Sequence, residues 1–364
     1  MMANRSRLVC VDSRSFAAKK NSHGSAPSRV EARKVLLATL GMGVILLAAA
    51  GASMLTGTVD ITPAQVLALV TGDGEVPEQA RLILMEIRLP RILLAALVGY
   101  ALALGGVVFQ AVLRNPLADP FILGVSSGSA FGAILGIALG LGFGFGVPAL
   151  SFAGALLAVF LLLAIGSKAI GTESSTILLT GVIINAFFTA TVMFFLSVAA
   201  DEKLHAMLFW LYGDLSQLSY RQLYLIAPVL LPASLVLYGF SRHLDLLTLG
   251  EDTAMRLGMD VVRTKLALLM VVSLMIGAVV AFSGIIGFVG LIVPHLMRMA
   301  FGSDHRLLIP FAALGGAAFL IAADTLARTL AAPTELPVGV ISAFLGAPFF
   351  IFLLRAKGSR WDRS

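Results

Sequence analysis

Long apolar runs follow one another from residue 35 to residue 354, separated by short polar links. A helix needs about 20 apolar residues to cross a bilayer. The runs predict ten such spans, near 35–56, 92–112, 121–141, 149–167, 176–199, 222–240, 266–284, 286–300, 307–327 and 338–354. Of the 364 residues 59% are hydrophobic and 13% charged, against about 25% charged in a soluble domain. Lipid must therefore be the solvent, and the fold is an all-α, polytopic membrane protein. Only one junction is irregular. "FSGIIGFVGLIVPHLMR" (282–298) joins the seventh and eighth spans without a polar loop, which predicts broken or bent helix shielded inside a bundle.

The charges orient the bundle. Residues 1–34 hold eight Lys/Arg against Asp12 and Glu31, which accounts for the whole net charge of +6. They read as a basic, disordered cytoplasmic tail rather than a nucleic-acid groove. A cleaved leader is the alternative, since "AAAGAS" (48–53) offers small residues, but the apolar run exceeds the usual leader core of about 7–15 residues. With the N-terminus inside, 20 of the 26 Lys/Arg fall on the inner side; Arg81, Arg88, Arg91, Lys203, Arg221 and Arg328 are left outside. Both termini are expected in the cytoplasm, with residues 35–355 as the membrane domain and 356–364 as an inner tail. The single cysteine, Cys10, excludes an intrachain disulfide and leaves no basis for a metal cluster.

Local signals refine this frame. "TPAQ" (62–65) has capping-box spacing with Pro at the first helical position, which predicts a short surface helix closed by Gly72. Gly124, Gly128, Gly132, Gly136, Gly140 and Gly144 recur every fourth residue and predict a groove for close helix packing. Asn185 is expected to be buried as interhelical glue. No zinc-hydrolase pair H-E-x-x-H and no phosphate loop G-x-x-x-x-G-K-[ST] occurs, so the chain does not read as an enzyme. Ionisable groups are nearly missing from the spans, which argues against an ion-coupled secondary transporter, the alternative kept for function.

The stretch "LTLGEDTAMRLGMDVVRTK" (247–265) is too charged for lipid and too short for a domain. Thr248 and Glu251 have capping-box spacing, Gly258 suits a helix end, and Asp260 suits the cap of a following helix. Ala254, Met255 and Leu257 form an apolar patch among the charges. A docking element for another protein and a solvated loop are both consistent with that pattern.

"GEDTAMRLGMD" (250–260) resembles the cytoplasmic coupling loop of FecCD-type permeases, membrane subunits of ABC importers for iron–siderophore, haem and cobalamin. The resemblance extends through 88–133, 283–329 and 335–354, and in register over roughly 35–355. It implies a type II ABC importer permease fold with ten spans and a coupling loop at about 245–264. It also implies a homodimer on two ATPase subunits, fed by a periplasmic or lipid-anchored binding protein, in the bacterial cytoplasmic membrane. ATP and Mg would be bound by the ATPase, with no cofactor or metal in this chain. Carried over by position, Glu251, Ala254, Leu257 and Gly258 would couple to the ATPase. Arg88, Arg91 and Arg328 would meet acidic residues of the binding protein. The competing reading of these arginines is local: Asp324 and Arg328 stand at i, i+4, and Glu86 lies near Arg88. Asn115 and Leu117 in "RNPLADP" (114–120), with Ser174 and Ser175 in "ESSTILLTG" (173–181), would form cytoplasmic gates; N-capping is the other role open to the two serines. The apolar fifth and tenth spans would line a path for a bulky metal chelate, without choosing among siderophore, haem and cobalamin.

Overall fold

The computed structural model describes residues 32–57, 59–72, 76–121, 123–166, 174–216 and 220–361. Most of the basic tail, Cys10 included, lies outside them, as do residues 362–364. In chain order the helices are α1 (Ala32–Leu55), α2 (Pro63–Thr71), α3 (Glu78–Val112), α4 (Val125–Ala138), α5 (Gly146–Gly166), α6 (Ser174–Val198) and α7 (Asp201–Tyr212). They continue as α8 (Tyr220–Gly239), α9 (Ser241–Thr248), α10 (Glu251–Arg256), α11 (Val261–Ser283), α12 (Val289–Phe301), α13 (His305–Thr329) and α14 (Val338–Trp361). No strand occurs among the described residues.

Every expected span has its helix. Seven, α1, α3, α5, α6, α8, α11 and α13, are long and apolar enough to cross a membrane, and the apolar parts of α4, α12 and α14 supply the shorter three. Two boundaries differ. The second span, expected from residue 92, is the last part of a 35-residue helix that starts at Glu78. Its residues Ile83–Arg88 form a π-helical segment. Pro90 explains it: a proline ring collides with the carbonyl four residues back in an ordinary α-turn, and a wider turn relieves that. At the other end, α14 runs to Trp361, past the expected boundary at 355.

Of the four extra helices, α2 follows its sequence signal. Thr62 Oγ1 accepts from the Gln65 amide at 3.3 Å, Gln65 Oε1 accepts from the Thr62 amide at 2.9 Å, and Gly72 closes the helix at φ 75°. Helix α10 is where Gly258 and Glu251 predict it, but Thr248 is not its cap. Thr248 ends α9 and donates to the Asp245 carbonyl at 2.7 Å. It stands two residues before Gly250 (φ 112°), which makes the entry to α10 instead. Asp260 does cap the next helix, accepting from the Arg263 amide at 3.0 Å, and that helix is α11 itself. Helices α7 and α9 have no counterpart in the sequence reading.

Helix α3 is central, packing on α8, α11, α12 and α13. The α4–α5 pair packs on α11 and α6. Contacts between the closest helices run through glycine. A Cβ on Gly99 would collide with the Gly316 carbonyl of α13, one on Gly316 with the Gly99 carbonyl, and one on Gly106 with the Gly290 carbonyl of α12. Of the fourfold glycine row, Gly128 and Gly132 touch α5 backbone at Gly154 and Leu150, and Gly136 meets Val147. Gly124 turns into α4 at φ 84° beside Ile184, while Gly140 and Gly144 lie past the helix with open space around them. The groove is thus a packing seam over three of its six members. Asn185 is only half-buried.

The seventh and eighth spans are joined as the glycines predict. Helix α11 ends at Gly284 (φ 67°), residues 284–288 are not helical, and Phe288 enters α12 at φ 69°. The freed groups find partners inside the bundle. The Ser283 carbonyl accepts from the Asp214 amide at 3.0 Å, and Ser283 Oγ donates to the Val279 carbonyl at 3.1 Å.

A side chain at Gly132 has to separate two backbones, so Gly132→Val should cost about 3 kcal/mol or more. Gly144→Ala, in open space, should stay within about 0.5 kcal/mol. Thermal midpoints of the two variants in detergent check this.

Candidate functional site: an inner ledge and an outer charge cluster

The two ends of the bundle are named here by the expected orientation. At the inner end, α9 and α10 lie between α8 and α11 and form a ledge. Helix α10 closes with a double turn. The Met259 amide donates to the Ala254 carbonyl at 3.1 Å and the Gly258 amide to the Met255 carbonyl at 2.9 Å, with Gly258 at φ 86°. This is the Schellman arrangement, in which a left-handed residue satisfies the last helical carbonyls. It divides the apolar patch. Ala254 points inward and is fully buried, while Leu257 (63% exposed) and Met255 (52%) face out. Glu251 opens the helix, and its Oε1 accepts from Lys265 Nζ at 2.6 Å. Lys265 is completely buried. Helix α9 is fastened elsewhere: Asp245 Oδ1 holds His305 Nδ1 at 2.6 Å and the His305 amide at 3.1 Å, at the start of α13.

Beside the ledge, the 114–120 loop is stiff. Helix α3 ends in a second Schellman turn, with the Asn115 amide on the Gln110 carbonyl at 3.1 Å and Arg114 left-handed at φ 47°. Asn115 Oδ1 then accepts from the Leu117 amide at 2.9 Å, and the Ala118 amide closes a turn onto the Asn115 carbonyl at 3.0 Å. Asn115 is half-buried within its own loop and Leu117 is exposed. The side chains of Ser174 and Ser175 lie outside the described residues; the backbone of both begins α6. Burial pushes the Asp119 carboxyl up to about 6, against the Phe121 amide that stabilises its charge.

The outer arginines are not free cations. Arg88, Arg91 and Arg328 are 4%, 6% and 5% exposed. Arg91 grips Asp324 with Nε at 3.0 Å and Nη2 at 2.9 Å, and reaches Glu335 with Nη1 at 2.7 Å. Arg328 meets the same Asp324 at 3.2 Å and donates to Ser53 Oγ at 2.6 Å and the Ser53 carbonyl at 3.3 Å. Arg88 donates to the Met54 and Val59 carbonyls. The local pairing of Asp324 with Arg328 is present in the chain, together with its pairing to Arg91. The cause is twofold. A buried carboxylate demands cations, and the last carbonyls of α1 lack helical donors. Between residues 42 and 55 only Met42 and Ser53 are buried, so these guanidiniums are a principal hold on that end of α1.

Sequence reasoning missed Lys265, Asp245 and His305. Lys265 and Glu251 are 14 residues apart and Asp245 and His305 are 60 apart, so no helical periodicity links them. The one available signal was a lysine set directly at the edge of an apolar span. Gly124-Val-Ser-Ser-Gly128 has G-x-S-x-G spacing, but a nucleophile elbow needs a strand-to-helix turn, and Ser126 lies buried on α4.

Two predictions follow from these charges. Asp324→Asn removes the shared counter-charge of two buried arginines and should cost about 3–5 kcal/mol; Glu335→Gln, at a 41% exposed side chain, should cost about 1 kcal/mol or less. Denaturation in detergent measures both. For Asp119 the folded pKa of about 6 lies above the unfolded value near 3.9. Folded protein therefore binds the proton more tightly, and its charge opposes folding by at most about 3 kcal/mol. That penalty is absent below about pH 4, grows as pH rises, and is complete above about pH 6. Asp119→Asn should flatten this part of the stability–pH curve.

The comparisons with known proteins agree with this architecture. Residues 45–356 match the FecCD transport family. The cobalamin import system permease protein BtuC of Halobacterium salinarum is 47% identical over 285 residues, covering 78% of this chain and 76% of that one. The hemin transport system permease protein HmuU of Yersinia pestis is 43% identical over 281 residues, covering 75% and 82%. A solved structure described as an inward-facing conformation of a metal-chelate type ABC transporter superposes with a TM-score of 0.79 at 32% identity, over 87% of this chain and 98% of that one. The chain belongs to the FecCD transport family and is a multi-pass permease of an ATP-binding-cassette importer.

Proposed function

We propose that this permease moves a bulky metal chelate inward across a bacterial cytoplasmic membrane, as a homodimer on two ATPase subunits and beneath an outer binding protein. The ledge carries the reading. It exposes Met255 and Leu257 beside charged neighbours on a fixed turn, as a protein-docking knob does. The chain has no phosphate loop of its own, so the energy of ATP enters through such a contact and tilts the bundle as a rigid body. Glu251, Ala254 and Gly258 shape the ledge; Leu257 touches the partner.

The two copies meet along α6 and α14. Phe187, Met193 and Phe194 on α6, and Phe344 and Phe352 on α14, are largely exposed in the single chain. Such walls offer a bulky chelate little to hold, and selectivity rests with the binding protein. Asn115 and Leu117, with the start of α6 at Ser174 and Ser175, close the inner mouth. The outer arginines frame the docking face rather than touch the visitor. Cobalamin and hemin are the cargo probes that the relatives' names suggest.

Reconstitution of the dimer with its ATPase and binding protein in liposomes tests the proposal with labelled cobalamin and hemin in turn. Uptake should stop when ATP is withdrawn, and Leu257→Asp should weaken ATPase co-purification at least about tenfold without unfolding the bundle. Uptake that persists without ATP and follows an ion gradient would reject it in favour of a secondary transporter.

A further inference from the structure

Lys265 is a charge without a role in the reading so far. It is fully buried at the base of α11, and its ammonium lies 2.6 Å from the Glu251 carboxylate at the opposite end of α10. The pair closes a loop of chain around Gly258. That glycine is the natural hinge between α10 and α11. Its φ of 86° suits glycine and few other residues, and a Cβ there would meet open space. One backbone bond crosses the hinge, from the Met259 amide to the Ala254 carbonyl at 3.1 Å. On the α11 side Asp260 binds the Arg263 amide, which belongs to α11 itself. At the level of charged side chains, the Lys265–Glu251 pair spans the hinge as well.

We infer that Lys265 is the positioning residue of the coupling ledge: its buried ion pair with Glu251 locks the Gly258 hinge, so that α10 and α11 move as one body when the ATPase pushes. The physics favours a lock over an ornament. A charge-assisted bond of this length is short and directional, and an ammonium inside a helix base resists losing its counter-ion. A solvated pair would yield with the loop; this one cannot reorganise without exposing or stranding a charge. The contrast lies nearby. Arg263 and Asp260 also pair, at 3.3 Å, but with side chains 88% and 52% exposed, where pairing adds little.

The inference rests on the proposed coupling role, and two measurements keep the two apart. The first needs no ATPase or cargo. In the full chain with Cys10→Ser, spin labels at Met255 on α10 and Val262 on α11 report their separation. The native pair should give one narrow distance. Lys265→Met and Glu251→Gln should each broaden it, and the exchange Glu251→Lys with Lys265→Glu should narrow it again. An unchanged width in either single variant, or no recovery in the exchange, overturns the lock. Should Lys265→Met fail to fold, Glu251→Gln and the exchange decide. The second measurement uses the reconstituted importer. Uptake per ATP hydrolysed should fall about tenfold in Lys265→Met and return in the exchange Glu251→Lys with Lys265→Glu. An exchange variant whose thermal midpoint recovers while its uptake per ATP does not overturns the positioning role. A native importer that takes up neither cobalamin nor hemin on ATP refutes the functional reading instead, and the label distances still judge the lock.

Discussion

Helices already surrounded by hydrocarbon gain nothing from hiding apolar side chains from one another, so close approach of backbones must hold this bundle together. Gly99 against Gly316, Gly106 against Gly290 and Gly128 against Gly154 do this, each pair placing one helix where a side chain would otherwise stand. Dispersion between closely packed atoms then replaces hydrophobic attraction. The same contacts set the register of α3 against α12 and α13, and so fix where Arg91 meets Asp324 at one end and where Arg298 meets Gln110, at 3.0 Å, nearer the other. Gln110 can share its amide with Arg298 and the Gly290 carbonyl because glycine lets these helices come close enough.

The outer end applies the rule to charge. Asp324 lies on α13, Arg91 on α3 and Glu335 on the link before α14, so one ionic cluster ties three segments. Arg328 and Arg88 extend it to the last carbonyls of α1. Burial makes the arrangement costly to open, since any member removed leaves its partner unpaired in a poor solvent. A face built this way is stiff. On the proposed reading, its value is to keep the outer rim in one shape while the inner end is worked.

The ten spans were legible because apolar length is a physical requirement of the bilayer, and it is written in consecutive residues. Local chemistry was legible for the same reason: the Thr62 cap, the Gly258 helix end and the Asp260 cap each depend on neighbours within four residues. Thr248 misled because its spacing to Glu251 is right for a cap while α9 already claims it. The intrachain partners of the arginines were hidden for a deeper reason. They lie up to 275 residues away, and sequence does not reveal whether an arginine at the end of a span faces water or an aspartate. Helices α7 and α9 were hidden because short amphipathic turns in a loop carry no length requirement.

What remains is how a push on the ledge could reach the path. Helix α11 runs without a break from Val261 to Ser283, a rise of roughly 35 Å at 1.5 Å per residue. Its far end enters a knot made almost entirely of backbone. There Gly284 abuts the Trp210 carbonyl of α7, Gly213 abuts the Ile285 carbonyl, and Gly339 of α14 abuts the Tyr212 carbonyl. Phe288 adjoins this knot in a left-handed conformation that costs an ordinary residue roughly 1–2 kcal/mol, and its ring fills the place that a side chain at Gly346 of α14 would need. Packing without side chains has no rotamers to absorb a displacement. On the proposed reading, a tilt of α11 therefore arrives at α14, the wall of the path, undiminished, provided that α10 cannot hinge away at the start. The value of a buried lysine at the base of α11 follows from that proviso.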